Sequence, residues 1–328
     1  MTEPDPNDIA DAFGFPPPVG PLHPLPHRGF KRSWRIHTGA GSRLVKNFWP
    51  YDDLPWRADL ERAMDLEARA VRAGVDTPAP IRPAHPVFGT VACIEGHGLF
   101  RAFPFLEHRQ LSDADDIAEW MGRTLARIHR LQPVTTAPEP NWWYGQAPPV
   151  TPENWRRWLE DGTRAGISWA GALERNFELV VEESRRVAAT FRSASPYVLS
   201  HLDIEPQNVL MTEAGPKLID WDATAADSAE LQAAFVFVEF ARRGRTEPDP
   251  AAVRASHEAY VAAGGQPLTP RPYLLDRVIG RHLATITTAL GGYFEGGHSE
   301  EQIRARIEEL PTVVADTRAA EDILRKSL

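Results

Sequence analysis

Apolar and polar residues alternate in short runs through residues 30–105 of the chain. A period of two predicts strands with one buried face, and glycine-containing turns between neighbouring runs predict hairpins. One stretch differs, because Leu60, Met64 and Ala68 recur at helical spacing within residues 59–73. The predicted strands are residues 28–31, 33–37, 43–48, 91–94 and 99–103. The pattern therefore predicts a small five-stranded antiparallel sheet with one helix.

Beyond residue 105 the apolar residues mostly follow the 3.6-residue period of helices. The predicted helices are residues 113–131, 151–161, 171–191, 229–242, 250–263, 273–290, 299–310 and 312–324. Ser112 is the predicted cap of the first of these helices. Pro311 is predicted to separate the last two, because proline lacks the N–H that a helix interior needs. Three short apolar runs interrupt the helices and predict strands at residues 197–199, 209–211 and 217–219.

A strand-rich part followed by a larger helical part predicts an α+β protein with two lobes. We place the N-terminal lobe at residues 1–107 and the helical C-terminal lobe at residues 108–328. The N-terminal lobe begins with a proline-rich leader, in which residues 7–13 are predicted to form a short helix capped by Asn7.

Composition narrows the choice of partners and compartment. The formal net charge of −9 repels nucleic-acid phosphates, so we expect no nucleic-acid partner. Cys93 is the single cysteine, which excludes an intrachain disulfide and fits a reducing cytoplasm. We also expect no membrane association, because the N-terminus lacks a secretory pattern and the apolar run at residues 233–238 is too short to span a bilayer.

The residues that carry chemistry lie between residues 200 and 222. Residues 201–208 have the form H-x-D-x-x-x-x-N, and Asp220 follows a predicted hairpin at the end of a strand. Phosphoryl transfer requires a carboxylate that orients the acceptor and takes its proton, a role that Asp203 fits. It also requires hard oxygen ligands for Mg²⁺, which Asn208 and Asp220 supply. Asp and Asn alone often cap turns, but this spacing favours magnesium-dependent phosphoryl transfer.

These residues, together with Ile219-Asp220-Trp221-Asp222, resemble the H-G-D-x-x-x-x-N and I-D-W-[DE] motifs of the aminoglycoside phosphotransferase family. That family lies within the protein-kinase-like superfamily of small-molecule kinases. Residues 125–129 are similar to the family's L-A-x-L-H helix. The resemblance implies a two-lobed protein-kinase-like fold, with Mg²⁺ as cofactor and ATP, or GTP, as co-substrate. Leu202 and Glu205 depart from the pattern, standing where glycine and histidine are usual.

The resemblance also assigns the nucleotide contacts. Lys46 resembles the strand lysine that contacts the α- and β-phosphates, and Glu67 looks like its helix partner, with Glu61 as the alternative. The turn around Gly29 stands where the family covers the nucleotide.

By the same resemblance, residues 103–107 correspond to the hinge that holds the base, so Phe103 and Phe105 are predicted base contacts. Asp222 and Glu230 are candidate substrate-side carboxylates.

The sequence therefore predicts a kinase that moves the γ-phosphoryl group of a nucleoside triphosphate to a hydroxyl or amine of a small metabolite or antibiotic. One alternative is a non-catalytic nucleotide-binding protein of the same fold. A protein kinase is a second, although H-R-D, D-F-G and A-P-E motifs are missing, and a helical interaction module is a third. The tryptophan-rich residues 142–169 are interpreted either as packing anchors or as substrate contacts. The acceptor, the choice between ATP and GTP, and the oligomeric state stay open.

Overall fold

The computed structural model of the chain describes residues 3–26, 32–48, 54–131, 150–194, 196–293 and 297–328. The chain divides into two compact units. The first contains Met1–Leu111 and Pro206–Ala225, and the second contains Ser112–Glu205 and Ala226–Leu328. The division differs from the single boundary predicted at residue 107, because the chain returns to the first unit after the Asp203 loop.

The first unit contains a five-stranded antiparallel sheet, as predicted. Its strands are β1 (His23–Pro24), β2 (Arg32–Thr38), β3 (Gly41–Phe48), β4 (Ala92–Ile94) and β5 (Gly98–Pro104). They lie in the order β1-β2-β3-β5-β4, and both predicted hairpins are confirmed. The strand predicted at residues 28–31 falls outside the described residues, and His23–Pro24 forms the described edge strand beside β2.

One face of this sheet packs against the N-terminal helix α1 (Pro6–Phe13). Ile9 and Phe13 of α1 are buried with Trp34 and Phe100 of the sheet, which satisfies the alternating pattern of the strands. The cap of α1 is Asp5 and not the predicted Asn7. The reason is that Pro6 opens the helix and the Asp5 carboxylate accepts the N–H of residue 7 at 2.8 Å.

Two further elements complete the first unit. Helix α2 (Leu54–Arg72) buries Leu60 and Met64 in a second apolar cluster with Phe48 and Val91. A three-stranded antiparallel sheet has the order β6-β8-β9, formed by β6 (Arg109–Gln110), β8 (Val209–Thr212) and β9 (Gly215–Leu218). The β8–β9 hairpin confirms the prediction from the apolar runs, whereas the two residues of β6 are too few for periodicity to reveal.

The second unit is mainly helical, as predicted. Its helices are α3 (Ala118–Arg130), α4 (Pro152–Arg164), α5 (Ser168–Arg175), α6 (Phe177–Ser193), α7 (Ala229–Arg242), α8 (Pro250–Ala262), α9 (Asp276–Gly292) and α10 (Glu300–Ser327). Strands β7 (Tyr197–Ser200) and β10 (Ala225–Ser228) pair with each other. None of the described helices is both long enough and apolar enough to cross a membrane.

Three local predictions for this unit are wrong. Ser112 does not cap α3, because it closes a turn with Asp115 and the helix begins at residue 118. The helix predicted at residues 171–191 is two helices, which meet at Asn176. Pro311 lies inside the continuous helix α10. An interior proline costs about 3 kcal/mol, and burial of residues on both sides of the proline offsets this cost.

Candidate active site

The first unit contains a cavity of about 620 Å³ that collects most of the predicted site residues. Its lining comes from distant parts of the chain. Sheet strands β3 and β5 contribute Lys46, Arg101 and Phe103, helix α2 contributes Glu67, and the segment after residue 205 contributes Gln207, Asn208, Asp220, Trp221 and Asp222.

Lys46 is held between two carboxylates in this cavity. Its Nζ donates to Asp220 Oδ1 and to Asp222 Oδ2, both at 2.5 Å. Burial alone would lower the pKa of Lys46, but the charges of Asp222 and Asp220 outweigh burial and hold the pKa above its ordinary value. Lys46 is therefore a fixed positive charge across the physiological pH range, which suits a contact with phosphate oxygens.

Asp220 adopts a backbone conformation that is uncommon for a residue with a side chain. Its φ of 67° and ψ of 59° place it in the left-handed region, immediately before the 3₁₀ turn Trp221–Ala223. The surrounding structure holds this conformation, because the Ile219 N–H donates to the Asn208 carbonyl at 2.9 Å and the buried Trp221 indole donates to Thr77 Oγ1 at 2.9 Å. Strained backbone of this kind concentrates at functional sites.

Glu67 has a different ion-pair partner from the one predicted. Its carboxylate pairs with Arg101, and both side chains are almost completely buried. Burial raises the pKa of Glu67, and the neighbouring Arg101 opposes that rise. The alternative partner for Lys46, Glu61, lies on the exposed side of α2 and pairs with Arg57. Lys46 is instead paired with Asp220 and Asp222.

Arg101 is the charged residue of the described cavity lining that sequence reasoning missed. Besides Glu67, it contacts Asp222 Oδ1 at 3.4 Å, and its Nε donates to Thr90 Oγ1 at 3.0 Å. The available signal was an arginine within the otherwise apolar run of residues 99–103, because a charge in a buried strand is rare unless it is paired.

The two phenylalanines predicted to contact the nucleotide base differ in whether they line the cavity. Phe103 lines the cavity. Phe105 is not among the described residues of the lining. Its ring centroid lies 4.0 Å from the Arg35 guanidinium carbon, and its N–H donates to the Ser42 carbonyl. Gly29 lies outside the described residues.

The loop that carries Asp203 belongs to the second unit. The Asp203 N–H donates to the His201 carbonyl at 2.7 Å, and the Glu205 N–H donates to the Asp203 carbonyl at 3.1 Å. Leu202 between them has a φ of 59° and is almost completely buried. This left-handed conformation explains why glycine suits this position in the related motif, and shows that this chain keeps the conformation with leucine.

The remaining candidate carboxylate, Glu230, is neutralised by an arginine. Arg271 donates to Glu230 through Nη2 at 2.5 Å and through Nε at 3.1 Å, which is a bidentate pair. In the tryptophan-rich stretch, Trp155 and Trp169 are completely buried, which favours packing over substrate contact for these two. Residues 142–149 lie outside the described part of the chain.

The donor set of the cavity fits magnesium bound together with phosphate. Asp220 and the buried Asn208 both line the cavity and supply hard oxygen atoms. Among the residues that the structure describes, no group of three or more His, Cys, Asp and Glu side chains is arranged to hold a metal. Mg²⁺ with a nucleotide typically needs only one or two carboxylates, because phosphate oxygens and water complete its shell.

Solved structures of similar fold include small-molecule kinases. A spectinomycin phosphotransferase in complex with ADP and spectinomycin has a TM-score of 0.64 and 15% identity, covering 98% of this chain and 97% of that one. An aminoglycoside phosphotransferase from Alicyclobacillus acidocaldarius has a TM-score of 0.64 and 13% identity, covering 99% and 96%. A choline kinase from Streptococcus pneumoniae has a TM-score of 0.58 and 14% identity, covering 92% and 94%.

The protein therefore has the protein-kinase-like fold, with a small antiparallel sheet and a larger helical part, which confirms the predicted fold class. No curated protein sequence matches the chain. The model of the phosphotransferase enzyme family matches residues 24–264, well over half of the chain, so the chain belongs to that family and is a phosphotransferase.

Proposed function

We propose that the protein transfers the γ-phosphoryl group of a nucleoside triphosphate to a hydroxyl or amine of a small, amine-bearing acceptor. The observation that supports this proposal most is the arrangement of the cavity in the first unit. Lys46, Asn208 and Asp220, which come from distant parts of the sequence, line the same 620 Å³ space. A lysine cation and two oxygen donors are the groups that phosphoryl transfer needs around the phosphates.

Each side chain has a distinct role in this proposal. Lys46 contacts phosphate oxygens and neutralises their charge. Asp203 orients the acceptor and takes its proton as the acceptor oxygen or nitrogen bonds to the γ-phosphorus. The bond between the γ-phosphorus and the bridging oxygen breaks, and the nucleoside diphosphate leaves with that electron pair. Asp203 precedes Asn208 by five residues, which is the spacing of the phosphotransferase motif.

Asn208 and Asp220 are the proposed magnesium ligands. When bound, Mg²⁺ would neutralise charge on the phosphates. Asp222 contacts Arg101 as well as Lys46, so we propose that it positions these two cations.

The acceptor class is proposed from two observations. The chain carries a net charge of −9, which attracts cations in general. The structures of similar fold include a spectinomycin phosphotransferase and a choline kinase. We therefore propose an acceptor that carries an amine or ammonium group together with the hydroxyl or amine that is phosphorylated.

The test is release of nucleoside diphosphate from Mg-ATP and Mg-GTP in parallel, with spectinomycin, choline and ethanolamine among the acceptors. We expect acceptor-dependent release that Asp203→Asn lowers at least about 10³-fold, because the base and the orienting carboxylate are lost together. The matched control is Asp322→Asn, an exposed aspartate on α10. Nucleotide binding without product from any acceptor would instead support a non-catalytic protein, and phosphate found on protein substrates would support a protein kinase.

A further inference from the structure

Helix α9 presents two arginines, one turn apart, to the loop that carries Asp203. Arg277 donates through Nη2 to the Leu202 carbonyl at 2.6 Å, and Arg281 pairs with the Glu205 carboxylate. These two contacts lie on either side of Asp203 in the chain. Helix, loop and both arginines belong to the second unit.

Arg277 is held in the protein interior by other contacts besides the hydrogen bond to the Leu202 carbonyl. Its Nη1 donates to Asp227 Oδ2 at 2.5 Å, and the two side chains are 3% and 0% exposed. Its guanidinium carbon lies 5.0 Å from the centroid of the Phe235 ring. A guanidinium that bridges a carboxylate and a carbonyl fixes both through its rigid planar fork, which a lysine does not reproduce.

Local helix energetics do not explain this arginine. Arg277 is the second residue of α9, and a cation in the first turn of a helix is opposed by the helix dipole. Burying a charge is also costly unless it is paired and hydrogen-bonded. The contacts that offset these costs are with Asp227 and with the backbone of the Asp203 loop.

The loop itself needs external support. Leu202 is in the left-handed region, which costs a leucine about 1–2 kcal/mol. The hydrogen bond from the Asp203 N–H to the His201 carbonyl closes only a three-residue turn. A strained turn persists when the surrounding structure determines it, and the Arg277 contact is made at the strained residue.

We infer that Arg277 is a positioning residue that holds Asp203 in its reactive placement, with Arg281 as a second and weaker point of attachment. The inference rests on the proposed function, because it acts through Asp203 as the acceptor's base. A displacement of about 1 Å in a reacting group costs on the order of 10²-fold in rate. Loss of Arg277 is therefore expected to lower kcat and to leave the KM for the nucleotide nearly unchanged.

The first experiment needs no substrate. Hydrogen exchange of the full-length protein is followed in peptides that cover residues 200–207, for wild type, Arg277→Met and Arg318→Met. Arg318 is the matched control, because it pairs with the buried Asp276 and its described ion pairs are all with residues outside the loop. We expect faster loop exchange in Arg277→Met only. Unchanged loop exchange in a folded Arg277→Met protein would overturn the inference.

The second experiment measures kcat and KM with Mg-ATP and either spectinomycin or choline. We expect kcat to fall about 10²-fold in Arg277→Met, less in Arg277→Lys, and least in Arg281→Met. If Arg277→Met fails to fold, Arg281→Met is the variant that tests attachment of the loop. In an Asp203→Asn background, Arg277→Met should cause no further loss. If Arg277→Met lowered kcat in that background as much as it does in wild type, the role of Arg277 would be merely structural. If wild type turns over no acceptor, the proposed function fails, while the exchange result still decides whether Arg277 holds the loop.

Discussion

The buried Glu67–Arg101 pair offers the sharpest test of how the cavity is held together. In Arg101→Met, the arginine stem is replaced by a side chain of similar length, but the Glu67 carboxylate loses its cation inside the protein. Both partners are 2% exposed or less. Removing one partner of a buried ion pair costs about 3–5 kcal/mol, so we expect the free energy of unfolding to fall by about that amount.

Urea denaturation of matched variants measures this effect. The exposed pair Arg69–Asp65 on the same helix is the control, and Arg69→Met should cost under about 0.5 kcal/mol. The double variant Glu67→Met/Arg101→Met should recover most of the loss, because replacing both buried charges by apolar groups of similar size is close to neutral.

The cost of Arg101→Met should also depend on pH. Burial raises the pKa of Glu67, and Arg101 opposes that rise, so without Arg101 the folded state holds a proton on Glu67 more tightly. Because the folded state then binds more protons than the unfolded chain, the stability of the variant falls as pH rises. The deficit relative to wild type should be smaller at pH 5 than at pH 8. A cost below about 1 kcal/mol at pH 8, or a double variant no better than the single one, would refute the reasoning.

Three further predictions test other parts of the fold. Burial lowers the pKa of His129 to about 4 from 6.5, so the unfolded chain takes up a proton first as pH falls from 6.5 to 4. In wild type this proton uptake lowers the free energy of unfolding by about 3 kcal/mol between pH 6.5 and pH 4. His129→Gln should abolish that part of the fall, as measured by urea unfolding at several pH values. Leu202→Gly should destabilise the protein less than Leu202→Ala in thermal unfolding, because both lose most of the buried leucine side chain but only glycine relieves the positive φ. The reverse order would argue against strain. Gly122→Ala should cost about 2 kcal/mol or more in urea unfolding, because its Cβ would lie 2.1 Å from the backbone oxygen of Ser256, whereas Gly171→Ala, which has space, should be neutral or stabilising.

Local sequence information predicted the elements that depend on short-range periodicity. The two hairpins of the first sheet, helix α7 at residues 229–242 and the β8–β9 hairpin lie where the apolar pattern placed them. The spacing of Asp203, Asn208 and Asp220 likewise predicted a phosphotransferase, and membership of that family is shown. These successes share one reason: the signal is contained within a few residues or in a motif of fixed spacing.

Ends and interruptions of helices were harder to predict, because several local signals compete there. Asp5 and Asn7 are both good capping residues, and only the position of Pro6 at the helix start selects Asp5. At Pro311, a strong local signal to end the helix is overridden by burial on both sides, which is a tertiary contribution.

The pairing of charges was decided by tertiary structure alone. Glu67 and Arg101 are 34 residues apart, and Lys46 and Asp220 are 174 residues apart, so no periodicity connects either pair. The sequence by itself determined which residue types were available for phosphate and metal contacts. Which carboxylate faces which cation depends on the distances created when the sheet, helix α2 and the returning segment 206–225 pack together, because ion pairing requires contact within a few ångströms.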